Sequence, residues 1–178
     1  MNYGIKVCTS DEVASDILTV TGEKTIPLPR MRKKKLGGFT VIPFHVPHNE
    51  TECDGWLITH KELGRLLFIT DAEYCPYDFS KVGITHAMIE CNYSEDYMVS
   101  DVENRGHVLH GHIELQTCKR LIKTIESQEL RSVGLLHLSA QNGEPGRFRR
   151  EIKEIVDCDV NVYVAEKGFE TELSLNPF

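Results

Sequence analysis

The sequence predicts an α/β protein with a mixed β-sheet and flanking helices, and two patterns support this fold class. Between residues 39 and 91, short runs rich in β-branched and aromatic residues are separated by turns, as in consecutive strands. From residue 85 onward, predicted strands alternate with helices, which is typical of a sheet covered by helix on at least one face. No linker separates these parts, so we expect a single domain over residues 1–178.

The first predicted elements are a strand at Tyr3–Cys8 and a helix that runs to about Thr21. Thr9 and Glu12 have the spacing of a capping box at the start of this helix. The residues expected on the buried face of the helix are Val13, Ile17 and Leu18. Residues 22–37 contain prolines, a basic run and a Gly-Gly pair, and we expect a loop with one short strand there.

The central part of the chain is predicted to consist of strands joined by short turns, one of them around Glu62-Leu63-Gly64. The four strands are expected at Phe39–Val46, Gly55–Thr59, Arg65–Thr70 and Thr85–Cys91.

The last part alternates helices and strands. The predicted helices are Ser94–Val102, Ile113–Ile125 and Arg147–Val156. The predicted strands are Leu130–Leu138, Val160–Ala165 and Glu170–Leu173, of which the last two would form a hairpin around Gly168.

Composition places the chain among ordinary globular proteins, with 40% hydrophobic and 26% charged residues and a net charge of −7. This charge argues against a whole-surface electrostatic attraction to nucleic acid, but not against a local basic patch. The one dense basic run contains Arg30, Arg32, Lys33, Lys34 and Lys35. It has two interpretations, a solvated hairpin edge or a patch that contacts phosphate.

The six cysteines are scattered and form no C-x-x-C pair, which favours reduced thiols over a disulfide framework or a structural zinc knuckle. The sequence shows no signal peptide, and no apolar stretch approaches the roughly 18 residues that span a membrane. We therefore expect a soluble cytoplasmic protein with no membrane association.

Three strings each contain an apolar run that leads to a histidine or an aspartate, as a buried strand does when it delivers one polar side chain at its C-terminal end. They are PFHVPH (Pro43–His48), LFITDAEY (Leu67–Tyr74) and LLHLS (Leu135–Ser139). Two imidazoles and a carboxylate suit zinc, manganese or iron. Taken singly, Asp71 is more often a turn cap, and His48 and His137 are more often hydrogen-bonded loop or core residues.

In their order along the chain, these strings resemble the C-terminal half of metallo-β-lactamase-fold hydrolases. The resemblance is greatest to the branch that contains phosphoribosyl cyclic phosphodiesterase-like and nuclease-like enzymes. Three further segments are similar to that branch: Ile89–Tyr93 resembles its E-x-N segment, Gly111-His112 its G-H element before a helix, and Gly168 with the final strand its C-terminal end.

The resemblance implies a site with two ions, Zn²⁺ or Mn²⁺, and a phosphodiester substrate, either cyclic nucleotide-like or nucleic acid. Asp71 would bridge both ions, while His48 and His137 would each bind one of them. His112 would contact phosphate or transfer a proton. Glu90 and Asn92 would tie loops near the site.

The sequence departs from the family pattern because it contains no H-x-H-x-D-H cluster. Three ligands shared by two ions leave each with only two protein ligands, whereas catalytic zinc normally has three. We therefore expect a truncated fold that alone binds metal weakly, hydrolyses little, and forms a homodimer or a complex with a chain carrying the missing half. The alternative is a non-catalytic binding or assembly module that retains the fold.

Overall fold

The structure, a computed structural model, describes residues 5–97 and 111–175 and has two β-sheets with helices around them. The strands are β1 (Cys8–Ser10), β2 (Ile26–Leu28), β3 (Lys34–Leu36), β4 (Phe39–His48), β5 (Thr51–His60), β6 (Gly64–Ile69), β7 (His86–Glu90), β8 (Ser132–Leu136) and β9 (Asn161–Val164). The helices are α1 (Asp11–Thr21), a short 3₁₀ helix (Glu95–Tyr97), α2 (Leu115–Ile125) and α3 (Pro145–Lys153).

The larger sheet has seven strands in the order β3-β4-β5-β6-β7-β8-β9, and β1 and β2 form a separate parallel pair. Strands β3 to β6 are antiparallel to their neighbours, whereas β6 to β9 run parallel to one another. The C-terminal ends of β4, β6, β7 and β8 consequently lie at the same edge of the sheet. This mixed sheet with flanking helices confirms the predicted fold class.

The core lies between the parallel strands and the last two helices. Ile69, Ile89 and Leu135, from three adjacent strands, have no solvent exposure. Helix α2 buries four residues at helical spacing, Leu115, Cys118, Ile122 and Ile125, and α3 adds Phe148 and Ile152. Of the four residues whose spacing predicted α2, Leu115, Ile122 and Ile125 are buried, and Leu121 is partly buried against the core.

Helix α1 differs from its prediction at its start and on its packed face. Ser10 caps the helix, because its hydroxyl accepts a hydrogen bond from the backbone N–H of Val13 (3.2 Å). None of its residues is buried, and Leu18 is 46% exposed. The predicted buried face is wrong because the contacts of α1, which are mainly with β1, β2 and β5, leave all of its residues at least partly exposed.

Other predicted boundaries also require correction. The strand expected at Tyr3–Cys8 begins only at Cys8, and residues 22–37 contain two short strands instead of one. The helix expected at Ser94–Val102 is a 3₁₀ turn at Glu95–Tyr97, and its remainder lies outside the described residues. The predicted strand Leu130–Leu138 already ends at Leu136.

The C-terminal hairpin is wrong as well. Residues 170–173 are not a strand, and residues 170–172, two of them glutamates, are exposed. The chain instead crosses to the β5–β6 turn, where the Leu175 N–H donates to the carbonyl oxygen of Glu62 (2.8 Å). In the part of the chain that the structure describes, no helix has the length and apolar character needed to cross a membrane.

Gly55 allows β4 and β5 to pack closely, and its replacement tests this contact. A Cβ atom at Gly55 would lie 2.2 Å from Cε2 of Phe44, which is 1% exposed. We expect Gly55→Ala to lower the free energy of unfolding by about 1–3 kcal/mol, because the Phe44 ring must move within a packed core. Urea denaturation measures this change.

The matched control is Gly146→Ala on α3, where the added methyl group would meet only an Arg150 guanidinium nitrogen at 3.6 Å. This variant should be neutral or slightly stabilising, because alanine favours the helix. Equal stability of Gly55→Ala and the wild type would contradict the proposed contact.

Candidate metal centre

Two strand ends turn sharply out of the sheet at the edge where the C-terminal ends meet. Asp71 follows β6 with φ of 51°, and His137 follows β8 with φ of 53°. A left-handed backbone is uncommon outside glycine, although Asp, Asn and His adopt it more often than other residues. The prediction that His137 lies inside its strand is corrected by this turn, because the strand ends at Leu136 and not at Leu138.

Asn92 fixes the turn at His137. Its side-chain amide donates to the carbonyl oxygen of His137 (2.7 Å), and its own carbonyl accepts from the N–H of Ser139 (2.9 Å). Asn92 therefore holds the backbone on both sides of the turn.

Glu90, the last residue of β7, lies between these two strand ends with a side chain that has no solvent exposure. Its Oε2 accepts a hydrogen bond from the N–H of Ala72 (2.9 Å), and its Oε1 accepts one from His112 Nδ1 (2.7 Å). His137 Nδ1 lies 3.1 Å from the same Oε1. A buried carboxylate requires such partners, and here they come from three separate segments.

The ligand atoms of Asp71, His112 and His137 all lie within 4.8 Å of one another. His137 Nδ1 is also 3.2 Å from Asp71 Oδ1. Donor atoms around one tetrahedral zinc ion are separated by about 3.4 Å, so small side-chain rotations would bring this set to bonding distance. Imidazole and carboxylate donors suit Zn²⁺, Mn²⁺ and Fe²⁺, and the residues present therefore fit a cation.

Negative charge dominates the electrostatics of this cluster. The hydrogen bond with Glu90 raises the pKa of His112, burial opposes this effect, and the charges of Glu90 and Asp71 add to it. Burial raises the pKa of the nearby Cys53 thiol to about 11, and the charges of Asp71, Asp54 and Glu90 contribute to this increase. The site therefore favours a positive charge, either a proton or a metal ion.

His48, the last residue of β4, lies beside this three-residue group. Its Nδ1 lies 2.6 Å from the carbonyl oxygen of Gly111. Because a carbonyl only accepts, Nδ1 donates the hydrogen bond and carries a proton. The rings of His48 and His112 are edge-on at 5.2 Å between centroids, and those of His112 and His137 are edge-on at 5.1 Å.

The structure thus brings two of the three predicted ligands, Asp71 and His137, into direct contact, and it adds His112 to them. His48 lies one ring further away, next to His112. Sequence reasoning missed that Glu90 contacts both imidazoles. The available signal was a glutamate at the end of the apolar run HAMIE (His86–Glu90), where a carboxylate must be compensated.

A cavity of about 590 Å³ opens beside His112. Its lining includes Glu73, Tyr74, Tyr93 and Glu95. Burial raises the pKa of Tyr93 to about 12, and the charges of Glu114, Glu95 and Glu73 add to this increase. The site therefore has room for a small molecule on the side where His112 lies.

No protein-family model matches this chain, and no curated protein sequence matches it either. Solved structures do match it. The metallo-β-lactamase fold protein YhfI from Bacillus subtilis has a TM-score of 0.67 at 20% identity, over 92% of this chain and 63% of YhfI. A diphosphatase of the PhnP family has a TM-score of 0.62 at 12% identity, over 91% of this chain and 55% of the diphosphatase.

An isothiocyanate hydrolase from Delia radicum gut bacteria has a TM-score of 0.64 at 14% identity, over 96% of this chain and 68% of the hydrolase. At these identities the similarity establishes the fold alone. The chain spans slightly under two thirds of YhfI and about half of the diphosphatase.

Glu90 orients two imidazoles, so its removal should weaken metal binding without removing a ligand. We expect Glu90→Gln to reduce the affinity for Zn²⁺ or Mn²⁺ by about 10- to 100-fold, because this is the usual loss when a carboxylate that hydrogen-bonds a metal-binding histidine is removed. Titration calorimetry measures the affinity. Glu73→Gln is the matched control, since it removes one negative charge from the neighbouring cavity. An equal effect of both variants would mean that only net charge matters.

Proposed function

Because the chain has the metallo-β-lactamase fold, we propose that it forms the metal-binding part of a metal-dependent hydrolase. The observation that carries this proposal is the convergence of Asp71, His112 and His137 around the buried carboxylate of Glu90. Structures of the same fold include proteins described as metal-dependent hydrolases, among them one from Veillonella parvula at 9% identity and a TM-score of 0.63.

Asp71, His112 and His137 would hold a Zn²⁺ or Mn²⁺ ion. Such an ion supplies Lewis acidity and lowers the pKa of bound water. Glu90 keeps the imidazoles of His112 and His137 oriented, and Asn92 keeps the His137 backbone in its turn. His48 would contribute to a second ion, with Asp71 as the bridge between the two, as the family resemblance implies.

His112 has two candidate roles. Its proximity to Asp71 and His137 favours metal ligation. The family resemblance instead implies phosphate contact or proton transfer, and the hydrogen bond to Glu90 would support the latter by holding a proton on the ring.

For the substrate we propose a phosphodiester. The PhnP-family diphosphatase and yeast PDE1, which matches at a TM-score of 0.56 and 16% identity, share the fold and support this class. The cavity beside His112 would accommodate one of the two substituents of the phosphate.

Metal content and hydrolysis test the proposal together. After purification without chelator, we expect about one ion per chain by mass spectrometry, and weak Mn²⁺- or Zn²⁺-dependent hydrolysis of bis(p-nitrophenyl) phosphate. Asp71→Asn/His137→Gln should lose both. Unchanged metal content in this double variant would contradict the proposed ligands.

His112→Gln separates the two roles of His112 in the same assays. Loss of metal would identify a ligand, whereas retained metal with a lower kcat would identify a group that acts on the substrate or a proton.

We also propose that a complementing polypeptide, carrying the H-x-H-x-D-H ligands absent from these 178 residues, covers the N-terminal face. This face is formed by residues 5–28, which include β1, α1 and β2. Its exposed apolar residues are Ile5, Val7, Leu18, Val20 and Ile26, and Ile5 and Val20 are 79% and 84% exposed. Exposed apolar surface of this kind and the open edges of a two-stranded sheet favour association.

Without the complementing chain, the same face should bring two copies together. We expect concentration-dependent self-association in light scattering, which Leu18→Glu/Val20→Glu should abolish by placing charges on the apolar surface. Ser15→Glu/Thr19→Glu adds the same charge at exposed polar positions of α1 and should have little effect. A wild-type chain that stays monomeric at high concentration would count against this interface.

A further inference from the structure

The five basic residues between positions 30 and 35 differ in their surroundings, because one forms ion pairs within the fold and four are exposed. Arg30 binds Asp54 (2.8 Å), Glu52 (2.8 Å) and Glu12 (3.4 Å), so its charge is compensated. The other four residues, Arg32, Lys33, Lys34 and Lys35, are all exposed. Across residues 5–97 and 111–175, no carboxylate forms an ion pair with any of them. Four uncompensated cations are thus concentrated in a chain whose net charge is −7.

These cations lie on a hairpin at one margin of the sheet. Strand β3 is the terminal strand of the seven, and it pairs with the start of β4 through Lys34 opposite Val41 and Lys35 opposite Thr40. Because side chains alternate along a strand, Lys34 and Lys35 project from opposite faces of the hairpin. We call Arg32 to Lys35 together with Phe39 the basic hairpin.

Phe39 gives the basic hairpin an aromatic surface. The side chain is 43% exposed, and its ring is stacked on that of His60 at 4.5 Å with an interplanar angle of 29°. The contact is close, because a Cβ atom at Gly38 would lie 2.9 Å from Nε2 of His60. An exposed ring supported from behind by a second ring is suited to stack on a nucleobase.

The basic hairpin is separate from the metal centre. Phe39 begins β4 and His48 ends it, so the two lie at opposite ends of a ten-residue strand. At about 3.3 Å per residue, this distance is about 30 Å. One phosphate group cannot contact both places, so the hairpin is a contact site distinct from the metal centre.

We propose that the basic hairpin binds single-stranded nucleic acid, with phosphates on Arg32 and Lys33 to Lys35 and a base stacked on Phe39. Cations combined with an exposed aromatic ring form the standard recognition chemistry for single strands. A flat anionic membrane would use cations that lie on one side, whereas the alternation along β3 places Lys34 and Lys35 on opposite sides. Lysines also protect edge strands from aggregation, but that role does not require an exposed stacked ring.

The test is fluorescence anisotropy with a labelled single-stranded DNA of about 15 nucleotides, in EDTA so that the metal centre plays no part. Each phosphate contact on a single strand contributes about −0.7 to the slope of log K against log salt, so four contacts predict a slope of about −3. We expect Lys33→Glu/Lys34→Glu/Lys35→Glu to weaken binding at least tenfold and to reduce the slope by about 2. The glutamates keep the edge strand charged, so this variant retains protection against aggregation.

Two controls make the result specific. Lys81→Glu/Lys123→Glu/Lys167→Glu changes the net charge equally at exposed positions on three different segments, and it should change the affinity by no more than about twofold. Phe39→Leu should weaken binding several-fold and leave the salt slope unchanged, because it removes stacking and no phosphate contact.

Several outcomes would overturn the proposal. The first is that the protein does not bind the DNA at about 50 mM salt. The second is that the two triple-lysine variants lose the same affinity for DNA. The third is that the protein binds phosphatidylserine vesicles more tightly than DNA. An equal loss in Asp71→Asn/His137→Gln would place the DNA at the metal centre instead. Because the hairpin and the metal centre are tested by different variants and readouts, failure of one proposal is distinguishable from failure of the other.

Discussion

The buried carboxylate of Glu90 organises the candidate site. Its side chain is fully buried at the end of β7, where an ionised carboxylate without partners would cost several kcal/mol. Its partners are the N–H of Ala72 after β6, His112 before α2, and His137 after β8. The buried charge of Glu90 therefore holds three chain segments together at the same edge of the sheet. The two imidazoles among its partners are also groups that can bind a cation.

Strand order explains why Glu90 can take this role. Strand β7 lies between β6 and β8, and adjacent strands are about 4.8 Å apart, so Asp71 and His137 follow strands about 10 Å apart. The left-handed turns at both residues bring their side chains together across β7, to 3.2 Å between Oδ1 and Nδ1. Asn92 holds one of these turns through the His137 carbonyl, and Glu90 holds the other through the N–H of Ala72.

The sequence predicted the parts of this arrangement that depend on periodicity and strand termination. Apolar runs that lead to Asp71 and His137 located two of the groups in the cluster, and the spacing of Leu115, Leu121, Ile122 and Ile125 located the helix that covers the sheet. Contacts between distant segments carry no local signal, and for this reason the bond between His112 and Glu90 could not be derived.

Helix α1 is a case in which the sequence pattern predicted burial that the structure does not show. Its apolar spacing is that of a helix with a buried side, yet Leu18 and Val20 are exposed because the described residues provide no layer above them. The spacing of apolar residues shows that one face of a helix is suited to burial. Whether that face is buried also depends on a second surface that packs against it. The C-terminal hairpin failed for a related reason, because the glutamates of residues 170–172 offer no apolar side for the edge of β9 to cover.

Strand β4 connects the two chemically distinct ends of the molecule. At its C-terminal end His48 lies beside the candidate metal centre, and at its N-terminal end Phe39 lies beside four cations that have no carboxylate partner among the described residues. These charges cannot compensate each other over about 30 Å, since the screening length in physiological salt is about 8 Å. The carboxylates at one end therefore favour a cation, and the exposed cations at the other end favour a polyanion. The antiparallel sheet keeps both ends on one rigid element, so a ligand held at the basic hairpin would have a fixed distance to the metal centre.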